Sequence, residues 1–135
     1  LAAQASRSLR RRTVIFLLSD FLTLGHEAEF LVCGRRHDVV AVRITPPELL
    51  DPPAAMLRVV DPETGARQVV DFAAPRVREA FLARVAALRT HTDEVLKKSR
   101  IDRIDITIPA VPDLAAIAQP ILRFFRMREL RQVKR

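Results

Sequence analysis

The sequence predicts an α/β fold: half of a three-layer, Rossmann-like domain with a mostly parallel sheet and one inserted β-hairpin. Three observations predict it. Two unbroken apolar runs, VIFLL at residues 14–18 and VVAV at 39–42, have the composition of parallel strands covered on both faces. Segments of helical period separate the strand candidates, and alternation of this kind packs helices against a parallel sheet. A turn bearing Pro and Gly, DPETGA at residues 61–66, lies between two short β-type runs.

Each element follows from local pattern. Residues 2–11 read as the end of a helix, with small residues, Leu9, and then arginines that suit a helix C-terminus. Thr13 to Ser19 is the first strand. Leu24 to Arg36 is helical, since Leu24, Ala28, Leu31 and Val32 share one face and Thr23 stands where a cap belongs. Asp38 to Ile44 is a second buried strand, and a strand, helix and strand within about thirty residues form a right-handed crossover by default. The four prolines of TPPELLDPPA, residues 45–54, make a fixed loop without regular structure.

MLRVV and RQVVDF flank the DPETGA turn as an antiparallel hairpin, with Pro62 presetting the turn and Gly65 free to take positive φ. Pro75 suits a first helical position, and Val77, Phe81, Val85 and Leu88 form one apolar stripe of a helix ending near Lys98. Ile104, Ile106 and Ile108 alternate with Asp105 and Thr107, the pattern of a third parallel strand at a sheet edge. Asp113 caps a last helix, in which Pro120 predicts a kink or a restart. The first strand is the most hydrophobic and is expected at the centre of the sheet. The sequence holds no neighbour for its other side, so residues 1–135 read as a single domain that is the C-terminal half of a larger one.

Composition narrows the function. A chain of 135 residues, 49% hydrophobic, supports one globular core. No apolar run approaches the roughly 20 residues of a membrane span. The first residues, LAAQASRSLRRR, lack the apolar core of a secretory signal, and the absence of an initial Met is expected of a processed, truncated or subcloned segment. The single Cys33 excludes a disulfide framework; it reads as a small buried apolar residue and suits a reducing, cytoplasmic setting.

The net charge of +7 belongs to the ends. Residues 1–12 carry four arginines and no acid, and residues 123–135 carry six basic residues against Glu129, so residues 13–122 are slightly acidic. Basic ends can contact phosphates without regard to sequence. With no Trp, no Tyr and no basic–aromatic interleaving, a base-stacking surface is not expected, and nucleic acid stays a minor alternative.

Catalytic signatures are missing. His26, His37 and His91 lack metal-ligand spacing and read as surface or capping residues. No Gly-x-Ser-x-Gly surrounds Ser19, and the glycines at 25, 34 and 65 do not form a phosphate loop. Asp102 and Asp105 read as solvated. What stands out is Ser19-Asp20 directly after the first strand, because ligands of open parallel sheets bind beyond the carboxyl ends of the strands. A carboxylate there can hold a hard cation, or it can cap the following turn.

VIFLLSDFL, HDVVAVRITPPE, VVDPETGARQVVDF and RFFRMR, in this order and spacing, resemble the MoxR-associated family called domain of unknown function fifty-eight, whose members carry a von Willebrand factor A-like domain. The resemblance implies a non-enzymatic interaction module and, as partner, a MoxR-type AAA+ ATPase. It also implies that Asp20, with Ser19, is one of three parts of a site for Mg²⁺ or another divalent cation. The other two parts, an Asp-x-Ser-x-Ser and a Thr, lie outside this chain. The match is imperfect. Ser-Asp-Phe stands where Thr-Asp-Gly or Ser-Asp-Gly is usual, and Thr45 replaces the Asp of the family's Asp-Pro-x-Glu loop, which keeps Pro46 and, as an accessory acid, Glu48. No cation is expected to bind this chain alone. The alternative is an α/β enzyme or phospho-acceptor using Asp20, for which Lys97, Lys98 and Lys134 are badly placed. Because Val14 to Leu18 carries no residue that blunts pairing, self-association through residues 13–22 is also expected.

Overall fold

The computed structural model describes residues 11–133 apart from Leu24, Pro62 and Glu63, and apart from the side chains of Gln132 and Val133. Residues 2–10, where the sequence predicts a helix end, lie outside the described residues. Among the described residues the elements are β1 (Val14–Ser19), α1 (Glu27–Arg36), β2 (Asp38–Thr45), β3 (Met56–Val60), β4 (Arg67–Asp71), α2 (Pro75–Lys98), β5 (Asp102–Thr107) and α3 (Leu114–Val133). Strands β1, β2 and β5 form a parallel sheet in that order, and β3 pairs antiparallel with β4. The α/β class and the inserted hairpin are as the sequence predicts.

The side chains of the central strand divide by parity. Val39 and Ala41 join Phe21, Cys33, Leu96 and Ile101 in a cluster under α1 and α2. Val40 and Val42 join Ile104 and Ile106 in a second cluster on the opposite face, which Ile117, Ile121 and Phe124 of α3 cover. Three layers result, and the VVAV run is apolar throughout because both of its faces are core. Each fully buried Val contributes about 1.5–3 kcal/mol.

The first strand departs from expectation. It lies at an edge of the sheet, and Val14, Phe16 and Leu18 are 53%, 45% and 64% exposed. Helix width is the physical reason. A helix of about 10 Å spans two strands spaced about 4.8 Å apart. Helix α3 covers β2 and β5 and reaches β1 through Phe125, whose ring lies 6.3 Å from that of Phe16. Among the described residues, the outer backbone edge of β1 is also without a partner strand. Asp38 N–H donates to the Thr13 carbonyl at 2.9 Å, so the parallel alternation turns the amides of Val14, Phe16 and Leu18 away from β2.

Helix α1 starts at Glu27 rather than Leu24, and Thr23 is not its cap: His26 holds that position without a side-chain bond. The backbone cannot be helical sooner, because Gly25 has φ of 100° and the loop before it is tied down by Thr92, whose Oγ1 donates to the Phe21 carbonyl at 3.1 Å. Gly34 in the same helix meets the turn between α2 and β5 so closely that a Cβ would lie 2.0 Å from the Ser99 carbonyl oxygen. The proline-rich loop holds a single 3₁₀ turn, Pro47–Leu49, which needs only one preset φ.

The hairpin turn closes with Asp61 N–H donating to Ala66 O and Gly65 N–H to Asp61 O, Gly65 having φ of 70°. Pro62 lies outside the described residues. Phe72, just past β4, packs edge-on against Phe81 of α2 at 5.1 Å, which anchors the hairpin to that helix. Asp113 caps α3 as expected, its Oδ1 accepting from the N–H groups of Ala115 and Ala116. That helix runs from Leu114 to Val133 without a restart at Pro120. None of the described helices is long and apolar enough to cross a membrane.

Candidate functional site

Ser19 and Asp20 occupy the carboxyl end of β1, both exposed. Ser19 Oγ accepts the Phe21 N–H at 3.0 Å, and Asp20 Oδ1 accepts the Leu22 N–H at 3.1 Å. The Ser19 hydroxyl also lies 3.5 Å from Asp20 Oδ1. These short-range bonds bend the chain sharply enough that Phe21, a non-glycine residue, has φ of 55° and drops its ring into the core. Asp20 therefore holds its own turn, as a capping carboxylate does, and it faces solvent with its second oxygen.

Glu48 sits in the 3₁₀ turn that leaves β2 at the same carboxyl edge of the sheet, and it too is exposed. The structure thus brings Ser19, Asp20 and Glu48 to one edge, on loops after adjacent strands, without a described hydrogen bond or ion pair joining Glu48 to the other two. Ser19 and Asp20 offer a hard cation two oxygens of the roughly six that Mg²⁺ takes. No group of three or more His, Cys, Asp or Glu side chains among the described residues could hold a metal ion.

Polar residues fill the half of the α1–α2 face nearest this edge. Register places Arg43 beside Asp105 and Thr45 beside Thr107, and helical spacing on α2 places Arg89, Thr92, Asp93 and Leu96 along one stripe above them. Arg43, whose side chain is only 8% exposed, donates from Nη1 to Asp93 at 2.8 Å and from Nε to Asp105 at 2.6 Å. Arg103 pairs with the same two carboxylates. Two guanidinium groups and two carboxylates form a closed, neutral set. One turn further along α2, Arg89 Nη2 donates to Thr45 Oγ1 at 2.7 Å, while its buried Nε has no acceptor among the described residues.

The histidines divide. His91 is exposed and lies 3.1 Å from Glu27, a contact that joins α2 to α1 and, together with the Glu27 and Gly25 N–H groups, holds the Glu27 carboxyl below its ordinary range. His37 is the C-cap residue of α1, one of the two roles the sequence suggests, and it is buried rather than at the surface, both ring nitrogens lacking a partner among the described residues. His26 contacts the edge of the Phe30 ring. Cys33 is wholly buried, and burial pushes its thiol up, so it is an unreactive core residue. Asp102 and Asp105 are not simply solvated: Asp102 lies 3.5 Å from Arg128, and Asp105 holds the Arg43 network.

Sequence reasoning missed this network and Arg89. A signal for Arg43 existed, since an arginine interrupts the apolar run of a strand that reads as buried. Nothing local ties it to Asp93, fifty residues on.

The DUF58 family, described as protein of unknown function DUF58, matches residues 2–91. Among curated proteins none matches the chain, and among solved structures none does. The family match takes in β1, the Ser19-Asp20 turn, β2, the hairpin and α2 as far as His91, the elements that surround the site. The chain belongs to the DUF58 family.

Proposed function

We propose that the chain is a non-enzymatic protein-interaction module, the C-terminal half of a von Willebrand A-like domain, whose partner is a MoxR-type AAA+ ATPase. Membership of DUF58 and the sequence resemblance support the reading. The observation that carries it is the exposed Ser19-Asp20 pair, held by its own turn at the carboxyl end of a parallel edge strand. In this reading Asp20 and Ser19 supply two oxygens to a divalent cation such as Mg²⁺. The remaining oxygens come from loops beyond β1's open edge and from a partner carboxylate, with Glu48 as a neighbouring acid. The cation would supply a bridge between two negatively charged groups.

The 135-residue chain by itself is expected to bind Mg²⁺ no tighter than about the millimolar range, because two oxygens are too few. Within the complete domain, Asp20→Ala should abolish Mg²⁺-dependent capture of a MoxR-type ATPase, measured by interferometry with and without EDTA. Unchanged affinity in the Asp20→Ala protein removes Asp20 from the site. Capture that ignores EDTA removes the cation.

The open edge of β1 has a consequence for the isolated chain. Val14, Phe16 and Leu18 combine backbone amides that have no partner among the described residues with exposed apolar side chains, and no charge or proline within the strand blunts the edge. Alone, the chain is expected to sediment as a dimer or larger species at tens of micromolar (roughly the range where modest interfaces associate), and Phe16→Glu should shift it to monomer. A monomeric wild-type chain would show that the edge is covered from within.

A further inference from the structure

Among the described residues, Arg89 is a partly buried cation without a carboxylate partner. One nitrogen is spent on the Thr45 hydroxyl, Nε is buried without an acceptor, and no carboxylate pairs with it among the described residues. The contrast with Arg43, one turn deeper, is instructive. Arg43 is enclosed by Asp93 and Asp105, which Arg103 helps to balance, so the network below Arg89 has no negative charge to spare. Burying the Nε–H without an acceptor is costly. A donor buried without an acceptor, beside strand ends that carry hydroxyl groups, marks a candidate binding position.

Position supports the same conclusion. Thr45 is the last residue of β2, the central strand, and it is buried. Thr107, its register partner, ends β5 on the same face. Because Arg89 meets the very end of β2, residues 75–88 of α2 extend past the sheet and carry the hairpin beside the strand ends through the Phe72–Phe81 contact. Arg89 and two threonine hydroxyls thus face the region where parallel sheets receive ligands. The charge of the ligand follows from its neighbours. Asp93 and Asp105 are balanced by Arg43 and Arg103, so Arg89 offers one net positive charge, and Asp20 at the adjacent strand end opposes a second negative charge on the ligand.

We propose that Arg89, oriented by Thr45, is a receptor for one carboxylate, as an Asp or Glu side chain of an acidic peptide would present it. The carboxylate takes up the Nε–H and the remaining guanidinium hydrogens in the forked geometry that suits both groups. The site stands independently of the metal reading of Asp20.

The test follows the Arg89 Nε–Hε signal by ¹⁵N-edited NMR in EDTA, with sodium acetate titrated against sodium chloride at fixed ionic strength. EDTA keeps a failure here distinct from a failure of the Asp20 site. The signal is assigned by its loss in Arg89→Met, or in Arg89→Lys should the first variant not fold. It should move with acetate to saturation, with half-saturation in about the millimolar range, and Thr45→Val should raise that concentration severalfold. An acidic peptide bearing one Asp should move the same signal, and its amide should do nothing. Equal movement in chloride, or none in acetate, overturns the proposal. Phosphate saturating at tenfold lower concentration than acetate overturns the choice of a carboxylate. A signal that shifts in Glu48→Gln and ignores acetate assigns Arg89 to an internal pair with Glu48, which overturns it as well.

Discussion

Gly34→Ala is expected to melt about 8 °C below the wild-type chain, a loss of about 2 kcal/mol or more for a domain of this size. The added Cβ would stand 2.0 Å from the Ser99 carbonyl oxygen and 3.1 Å from its carbonyl carbon. Ordinary contact needs about 3.4 Å, so α1 must move away from the α2–β5 turn or the turn must deform. Neither is easy. Ser99 is buried, and its neighbour Ile101 belongs to the same core cluster as Cys33, the residue next to Gly34. Two effects of opposite sign compete, which makes the experiment decisive. Alanine favours the helix by about 1 kcal/mol over glycine, so a variant as stable as wild type or more stable would show that the close approach is not there. Thermal melts followed by circular dichroism read the sign directly.

Asp93→Ala combined with Asp105→Ala should cost about 3–5 kcal/mol, because it strands the Arg43 guanidinium in the interior with no counter-charge. The asymmetric counterpart is Arg43→Met. That change removes the buried charge, leaves both carboxylates partly exposed and still paired with Arg103, and should cost no more than about 1 kcal/mol. Urea denaturation of the three proteins measures the contrast. Equal losses from the two changes would mean that packing of the Arg43 stem, rather than its charge, holds this part of the sheet. Each single aspartate variant should fall between, since one carboxylate remains to Arg43.

The division between what was legible and what was not runs along the range of the interactions. Periodicity and turn chemistry act over a few residues. For that reason the alternation of strands and helices, the hairpin around Gly65, Pro75 at the start of α2, the end of that helix at Lys98 and the Asp113 cap were all readable from the sequence. So was the place of Asp20 after a parallel strand. The N-terminus of α1 was not, because Gly25 and the distant Thr92 hold the preceding loop out of helical geometry.

Sheet order was beyond local pattern too. The run VIFLL is as apolar as VVAV, yet β2 has a strand on each side and a helix on each face, whereas β1 has neither on its outer side among the described residues. Hydrophobicity states that a strand should be covered and is silent about what covers it. The polar half of the α1–α2 face arises in the same way. Arg43, Asp93 and Asp105 are far apart in the chain, and each alone looks like a solvated charge. Only the register of β2 against β5 and the rotation of α2 bring them within hydrogen-bond reach, where the buried guanidinium of Arg43 requires a carboxylate. The sequence by itself determined which elements form and where the strand ends carry polar residues. The tertiary structure alone decided which arginine is satisfied and which is left waiting, because charge pairing depends on distances that no local pattern encodes.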